Sequence, residues 1–156
     1  MNNKPENVPN LDGGLTDGER VFRKLLLDRL IAARRPLALR ELTAGAETLA
    51  AALQTKGLLV KDDHGAIAGV YPVSARPTSH WVHLADGRSF YAMCAIDALG
   101  GAFEFDRDAT IISSCSHCRT QLTVTMEQGR IVAADPPEIH VLHVDLAHYA
   151  DWAASC

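Results

Sequence analysis

Four cysteines carry most of the reactive chemistry in this chain: Cys94, the pair Cys115 and Cys118 in a Cys-x-x-Cys motif, and Cys156. Asp97 follows Cys94 by three residues. On a helix that spacing puts thiol and carboxyl on one face. A thiolate is a soft nucleophile and a soft-metal ligand, and a neighbouring carboxyl can accept its proton or deliver one to a leaving group. The plain structural alternative is a small buried cysteine beside a surface acid. The Cys115-Ser116-His117-Cys118 motif supplies two of the four ligands of a structural zinc site, with no second Cys-x-x-Cys in the chain. His117, His140, His143 and Cys156 are the residues that could complete it. His140 and His143 sit three apart, which in a strand sends their rings to opposite faces. The same spacing separates His80 and His83, so at most one of them can look into a pocket. The metal-ligand candidates are therefore Cys94, Cys115, Cys118 and Cys156, the last either folding back over a pocket or standing as an exposed end.

The elements that must position these groups divide the chain into a tail and two modules. Residues 1–14, rich in Pro, Asn and Gly, read as a mobile tail. From Thr16 or Asp17 as N-cap, Val21, Phe22, Leu25, Leu26 and Leu30 recur at helical spacing, predicting a helix to about Ala33 that Arg34-Arg35-Pro36 stops. A short helix over Leu37–Leu42 and a third over Ala46–Lys56, ended by Gly57, follow. Two apolar runs, Leu58–Val60 and Ile67–Tyr71, then flank the turn Asp62-Asp63-His64-Gly65, which is hairpin chemistry. Residues 15–73 thus outline a winged-helix-like module. Residues 74–156 are β-rich, with strands expected at 80–84, 88–91, 110–114, 121–126, 130–133 and 139–144, and a short helix over Ala92–Leu99 carrying Cys94 and Asp97. The predicted class is α+β, with a three-helix module packed on a mixed or antiparallel β-rich module.

A length of 156 residues and an apolar fraction of 47% allow one ordinary core and exclude a large multidomain enzyme. No run approaches the roughly 18 apolar residues of a membrane helix, and the polar start does not resemble a secretory leader. A cytoplasmic location is expected, where thiols serve metal or redox chemistry more than disulfides. Residues 20–40 hold seven Arg or Lys against one acid, net +6, so the remainder carries −10 of the overall −4. This patch reads as a solvated face of the first helix. The third helix, mostly Ala and Leu, has the composition of a packing element, and nucleic acid is not an expected partner.

The segment Pro77-Thr78-Ser79-His80-Trp81-Val82-His83-Leu84, continuing through Phe90-Tyr91-Ala92-Met93-Cys94-Ala95-Ile96-Asp97-Ala98-Leu99, resembles the signature region of the organomercurial (alkylmercury) lyase family. The preceding Lys56–Val60 and hairpin, and the following Thr110–Cys115 block, fit the same family. The resemblance runs from about residue 17 to 135. It implies protonolysis of a carbon–mercury bond: a thiolate at Cys94 attacks mercury, a second thiolate joins it, and Asp97 handles the proton that ends on carbon. The products would be a hydrocarbon and Hg(II) held on sulfur, with no cofactor required. The winged-helix-like portion would be structural cover. In the family the second thiolate comes from a later segment of the type F-C-C-H-V-H-F-F; the corresponding stretch, Pro136–Leu146, has no cysteine. Met93 stands where the family has Trp, His80 matches a position whose implied role is to orient the strand or hydrogen-bond the loop, and Cys115 matches a cysteine whose reading is core packing. The resemblance thus implies a divergent or C-terminally shortened member. Its expected partners are a small organometal substrate or soft metal ion, low-molecular-weight thiols, or a downstream metal acceptor; a homodimer that lends a second thiol stays open.

The alternative from the residues is a non-catalytic thiol protein. It would be a soft-metal or zinc carrier, or a winged-helix metal-responsive regulator, built on Cys115, Cys118 and histidines. A redox role for the Cys-x-x-Cys is disfavoured because the pair precedes a strand and opens no helix whose dipole would stabilise a thiolate.

Overall fold

Thr16 opens the first helix, α1 (Asp17–Ala33), through a capping box: its hydroxyl accepts the Glu19 N–H at 3.2 Å, while the Glu19 carboxylate accepts the Thr16 N–H at 2.6 Å. Phe22, Leu26, Leu27, Leu30 and Ile31 form the buried stripe. Arg34, in the left-handed region at φ 51°, ends the helix two residues before Pro36. The computed structural model describes residues 14–141. Most of the expected tail, His143, Cys156 and the end of the strand expected over 139–144 lie outside the described residues.

The expected second helix is a single 3-10 turn, Leu39–Glu41. The reason is a competing strand contact: Leu37 exchanges two backbone hydrogen bonds with Ile67, at 3.0 and 2.8 Å, so its backbone is extended. Helix α2 (Ala46–Thr55) buries Ala46, Ala50 and Leu53 and packs on α1. The predicted hairpin follows as β1 (Leu59–Lys61) and β2 (Ile67–Val70). Its turn is held by the Asp62 carboxylate, which accepts the N–H groups of His64 and Ala66 at 3.0 Å each, with Gly65 supplying a positive φ of 75°.

The remaining strands are β3 (Val73–Ser74), β4 (His80–Leu84), β5 (Ser89–Ala92), β6 (Ala109–Ser114), β7 (Gln121–Glu127) and β8 (Arg130–Asp135). Together with the hairpin they form one eight-stranded sheet in the order β1-β2-β3-β5-β4-β6-β7-β8, with every pairing antiparallel. The two-residue β3 joins the hairpin to the larger part of the sheet, pairing Val70 with Val73 and Val73 with Ala92. Residues 139–141 form no strand; Pro136 and Pro137 follow directly on β8 and have no N–H to continue its ladder.

Helix α3 (Ala95–Glu104) connects β5 to β6 and lies on β4, β5 and β6. It starts three residues later than predicted because Ala92 is taken by β5, paired with Val73. Gly101 lets it come close: a Cβ there would sit 2.8 Å from the Phe90 ring. The side chains that meet beneath the helices include Val82, Phe90 and Ile111 from adjacent strands, all nearly or fully buried. Full burial of a large aliphatic side chain stabilises the fold by about 1.5–3 kcal/mol.

The far end of α3 is tied to α1. Arg23, 4% exposed, forms a two-pronged pair with the Glu104 carboxylate at 2.7 and 2.8 Å, and its Nη2 also donates to the Tyr71 carbonyl at 2.7 Å. The expectation that α1 presents a uniformly solvated basic face is therefore corrected at Arg23, which works inside the fold. Removing one partner of a buried pair leaves the other charge desolvated, costing about 3–5 kcal/mol. Glu104→Ala should lower the melting temperature by about 6–20 °C, given roughly 2–4 °C per kcal/mol at this size. Asp17→Ala, which opens the exposed Arg20–Asp17 pair, should shift it by less than about 4 °C. Equal shifts in calorimetry would contradict the anchoring role of Arg23.

Candidate active site

Cys94 is the N-cap of α3, in extended conformation (φ −145°, ψ −179°), separated from β5 by Met93 alone. Its sulfur accepts the Asp97 backbone N–H at 3.4 Å, and its S–H donates to Asp97 Oδ2 at 3.3 Å. A backbone hydrogen bond from Cys94 also reaches the Asp97 carboxylate. This is a capping box in which a thiol does the work usually done by a hydroxyl. The arrangement places sulfur and carboxyl where the helix dipole favours negative charge. Burial pushes the Asp97 carboxyl up to about 6, against the opposing pull of its hydrogen bonds from Cys94. Asp97 can therefore both take and give a proton near neutral pH.

Both side chains open onto a cavity of about 740 Å³ between the start of α3, the strands β6, β7 and β8, and the coil after Pro137. Leu99, Ile111, Leu122 and Val124 give it an apolar wall, which accounts for the desolvation of Asp97. Tyr71, Ser79, Ser113, Arg119 and His140 are among its other lining residues. His80 lies on the cavity side of β4 and is hydrogen-bonded through Nδ1 to Ser113 Oγ of β6 at 2.9 Å. Burial holds its pKa below the ordinary histidine value, so the ring is neutral at neutral pH. His80 thus braces the strand pair, one of the two structural roles that the family resemblance implied. His83 is exposed and packs edge-on against Trp81.

Cys115 borders the same cavity, just past the end of β6, and is partly buried. Cys118 is exposed in the turn before β7, and its thiol lies 3.2 Å from Thr120 Oγ1. Hydrogen bonding to Thr120, backbone and Cys115 brings the Cys118 thiol down to about 7. The pair opens no helix, in line with the sequence argument against a redox role. His117 is exposed in the same turn. Among the described residues, no group of three or more His, Cys, Asp and Glu side chains converges as a metal site would require, so zinc has no cage there. Met93, where the family resemblance expected Trp, packs against β2, its methyl filling the space that a side chain at Gly69 would need.

Sequence reasoning paired Cys94 with Asp97 but put both inside the helix; the capping role was legible in the Cys-x-x-Asp spacing, which has the form of Ser/Thr-x-x-Glu. Tyr71, Ser113 and Leu122 were missed as cavity residues, since only the sheet register brings them to one place.

Three likenesses to known proteins accompany this geometry. The family model described as MerB, alkylmercury lyase, matches residues 73–156. A curated alkylmercury lyase of Staphylococcus epidermidis is 30% identical over 122 residues, covering 76% of this chain. The chain spans 55% of that relative's length. The crystal structure of the mercury-bound form of MerB2 superposes with a TM-score of 0.61 at 21% identity, covering 81% of this chain and 64% of that one, a likeness of fold. With over half its length matched by the family model, and a relative at this identity, the chain belongs to the alkylmercury lyase family.

Proposed function

We propose that the protein cleaves the carbon–mercury bond of organomercurials by protonolysis, with Cys94 as the mercury-binding nucleophile and Asp97 as the proton carrier. The observation that carries this reading is the hydrogen bond from the Cys94 thiol to the Asp97 carboxyl, facing an apolar cavity large enough for an organic group. An incoming organomercurial thiolate meets Cys94, whose S–H proton passes to Asp97 as the S–Hg bond forms and the external thiolate leaves. A sulfur bound to mercury can no longer donate to Asp97. One of the interactions that hold the carboxyl's pKa down is thereby lost, and the proton stays on Asp97 as carboxylic acid. A second thiolate, from the protein or a low-molecular-weight thiol, adds electron density to mercury. The electron pair of the C–Hg bond then takes the Asp97 proton, giving a hydrocarbon and Hg(II) on sulfur.

Several finer features belong to the same reading. Residues 15–73 serve as a winged-helix-like cover and not as a nucleic-acid reader, supported by the use of Arg23 against Glu104 and of Arg35 against Glu41. No described helix is long and apolar enough to cross a membrane, and a reducing cytoplasm suits a reaction that runs on free thiols. The Hg(II) product passes to small thiols or a downstream metal acceptor.

Hydrocarbon release from phenylmercury in excess thiol tests the proposal. Cys94→Ala should abolish it, and Asp97→Asn should lower it by about 10²–10⁴-fold, the range of a positioned proton donor; full activity in Cys94→Ala would overturn the reading.

The pH dependence has a defined sign. Loading mercury on Cys94 uses the carboxylate form of Asp97 as proton acceptor, so the loading rate should fall as pH drops through about 6, approaching about tenfold per unit. Quenched alkylation of Cys94 reads this rate. A profile in Asp97→Asn that keeps the same inflection would assign it to another group.

A further inference from the structure

Cys115 and Cys118 have no part in the reaction as written, yet they link its cavity to solvent. Cys115 borders the cavity that Cys94 and Asp97 face, while Cys118 is exposed three residues on. The turn between them is fixed: Cys115 N–H donates to the Thr120 carbonyl at 2.9 Å, Arg119 N–H donates to the Cys115 carbonyl at 3.0 Å, and Ser114 pairs with Gln121 where β6 and β7 meet. The two cysteines meet at Thr120, whose carbonyl accepts the Cys115 N–H and whose Oγ1 lies 3.2 Å from the Cys118 sulfur. One sulfur thus borders the reaction chamber and the other faces outward, on a hairpin end held by flanking strands.

We propose that Cys115 and Cys118 form a dithiol site that receives Hg(II) from Cys94 and presents it at the surface. Two soft sulfurs are the donor set that linear Hg(II) takes, whereas structural zinc takes four ligands. A linear dithiolate needs its sulfurs about 4.6 Å apart, twice a typical metal–thiolate bond, and the exposed Cys118 side chain can rotate to that separation. The transfer is ligand exchange with mercury remaining Hg(II). The Cys115 and Cys118 thiols each lose a proton as an S–Hg bond forms. Cys94 and the thiolate that shared its mercury each regain a proton as their S–Hg bonds break. The source of the Hg(II) rests on the proposed lyase reaction; the dithiol site itself does not.

The test separates the two. In the full chain carrying Cys94→Ala and Cys156→Ser, one equivalent of inorganic Hg(II) should protect both Cys115 and Cys118 from iodoacetamide in peptide mapping. Adding Cys118→Ser should weaken Hg(II) retention against dithiothreitol by more than about 100-fold, since losing a mere hydrogen-bond partner of a metal ligand costs roughly 10–100-fold. Free alkylation of either thiol with Hg(II) bound, or unchanged retention in Cys118→Ser, would overturn the site. For the transfer, Cys94 should become alkylatable again after a single turnover of phenylmercury without added thiol, and should stay blocked in Cys118→Ser. Equal recovery in both would overturn the relay. Failure of the lyase reading would show instead as no hydrocarbon from the unmodified protein, with protection of Cys115 and Cys118 by inorganic Hg(II) intact.

Discussion

The reciprocal contact between Cys94 and Asp97 is the constraint on which the rest of the site depends. It starts α3, orients the thiol, and fixes where the carboxyl stands relative to anything bound to sulfur. A cap is a position set by backbone geometry, so the pair is held by the helix end itself. The helix is in turn held along its length by Phe90 against Gly101 and at its far end by Arg23 on Glu104. The first helix therefore helps to fix, through Arg23, the element that carries Cys94 and Asp97.

The same contact resolves an electrostatic conflict. Burying a carboxyl at the edge of a cavity that Leu99, Ile111 and Val124 also line favours its neutral form, whereas the thiol and backbone donors of Cys94 favour its charged form. The balance leaves Asp97 close to neutral pH. Occupation of the sulfur by a metal removes one of the stabilising donors, and the balance then moves toward the acid. In the proposed reaction, binding and proton delivery are thus coupled through one hydrogen bond. The apolar wall raises the carboxyl's pKa and, in the same proposal, is the surface that an organic group would meet.

Much of this was legible in the sequence where the signal was local. Strand β4 spans the predicted residues His80–Leu84, and the β1–β2 turn follows from Asp62 and Gly65. The Cys-x-x-Asp pair was recognisable by its residue types and by the family resemblance around it. The failures occur where distant residues decide. Leu37 is extended because Ile67, thirty residues later, takes its backbone hydrogen bonds. Ala92 is strand because Val73 pairs with it. Arg23 belongs to the interior because Glu104, at the end of another helix, meets it there; in a sequence window it is indistinguishable from its solvated neighbours. The cavity is likewise a product of sheet register, since Ser113 comes to His80 only across the β4–β6 ladder.

The intact mass of the protein after one equivalent of phenylmercury and removal of small molecules tests the central claim most directly, because it distinguishes capture of mercury from cleavage of its bond to carbon. The unmodified protein should gain mercury without the phenyl group, while Asp97→Asn should gain mercury with the phenyl group still attached. A phenyl-bearing adduct on the unmodified protein, or a phenyl-free adduct on Asp97→Asn, would contradict the assignment of Asp97 as the proton carrier for bond cleavage.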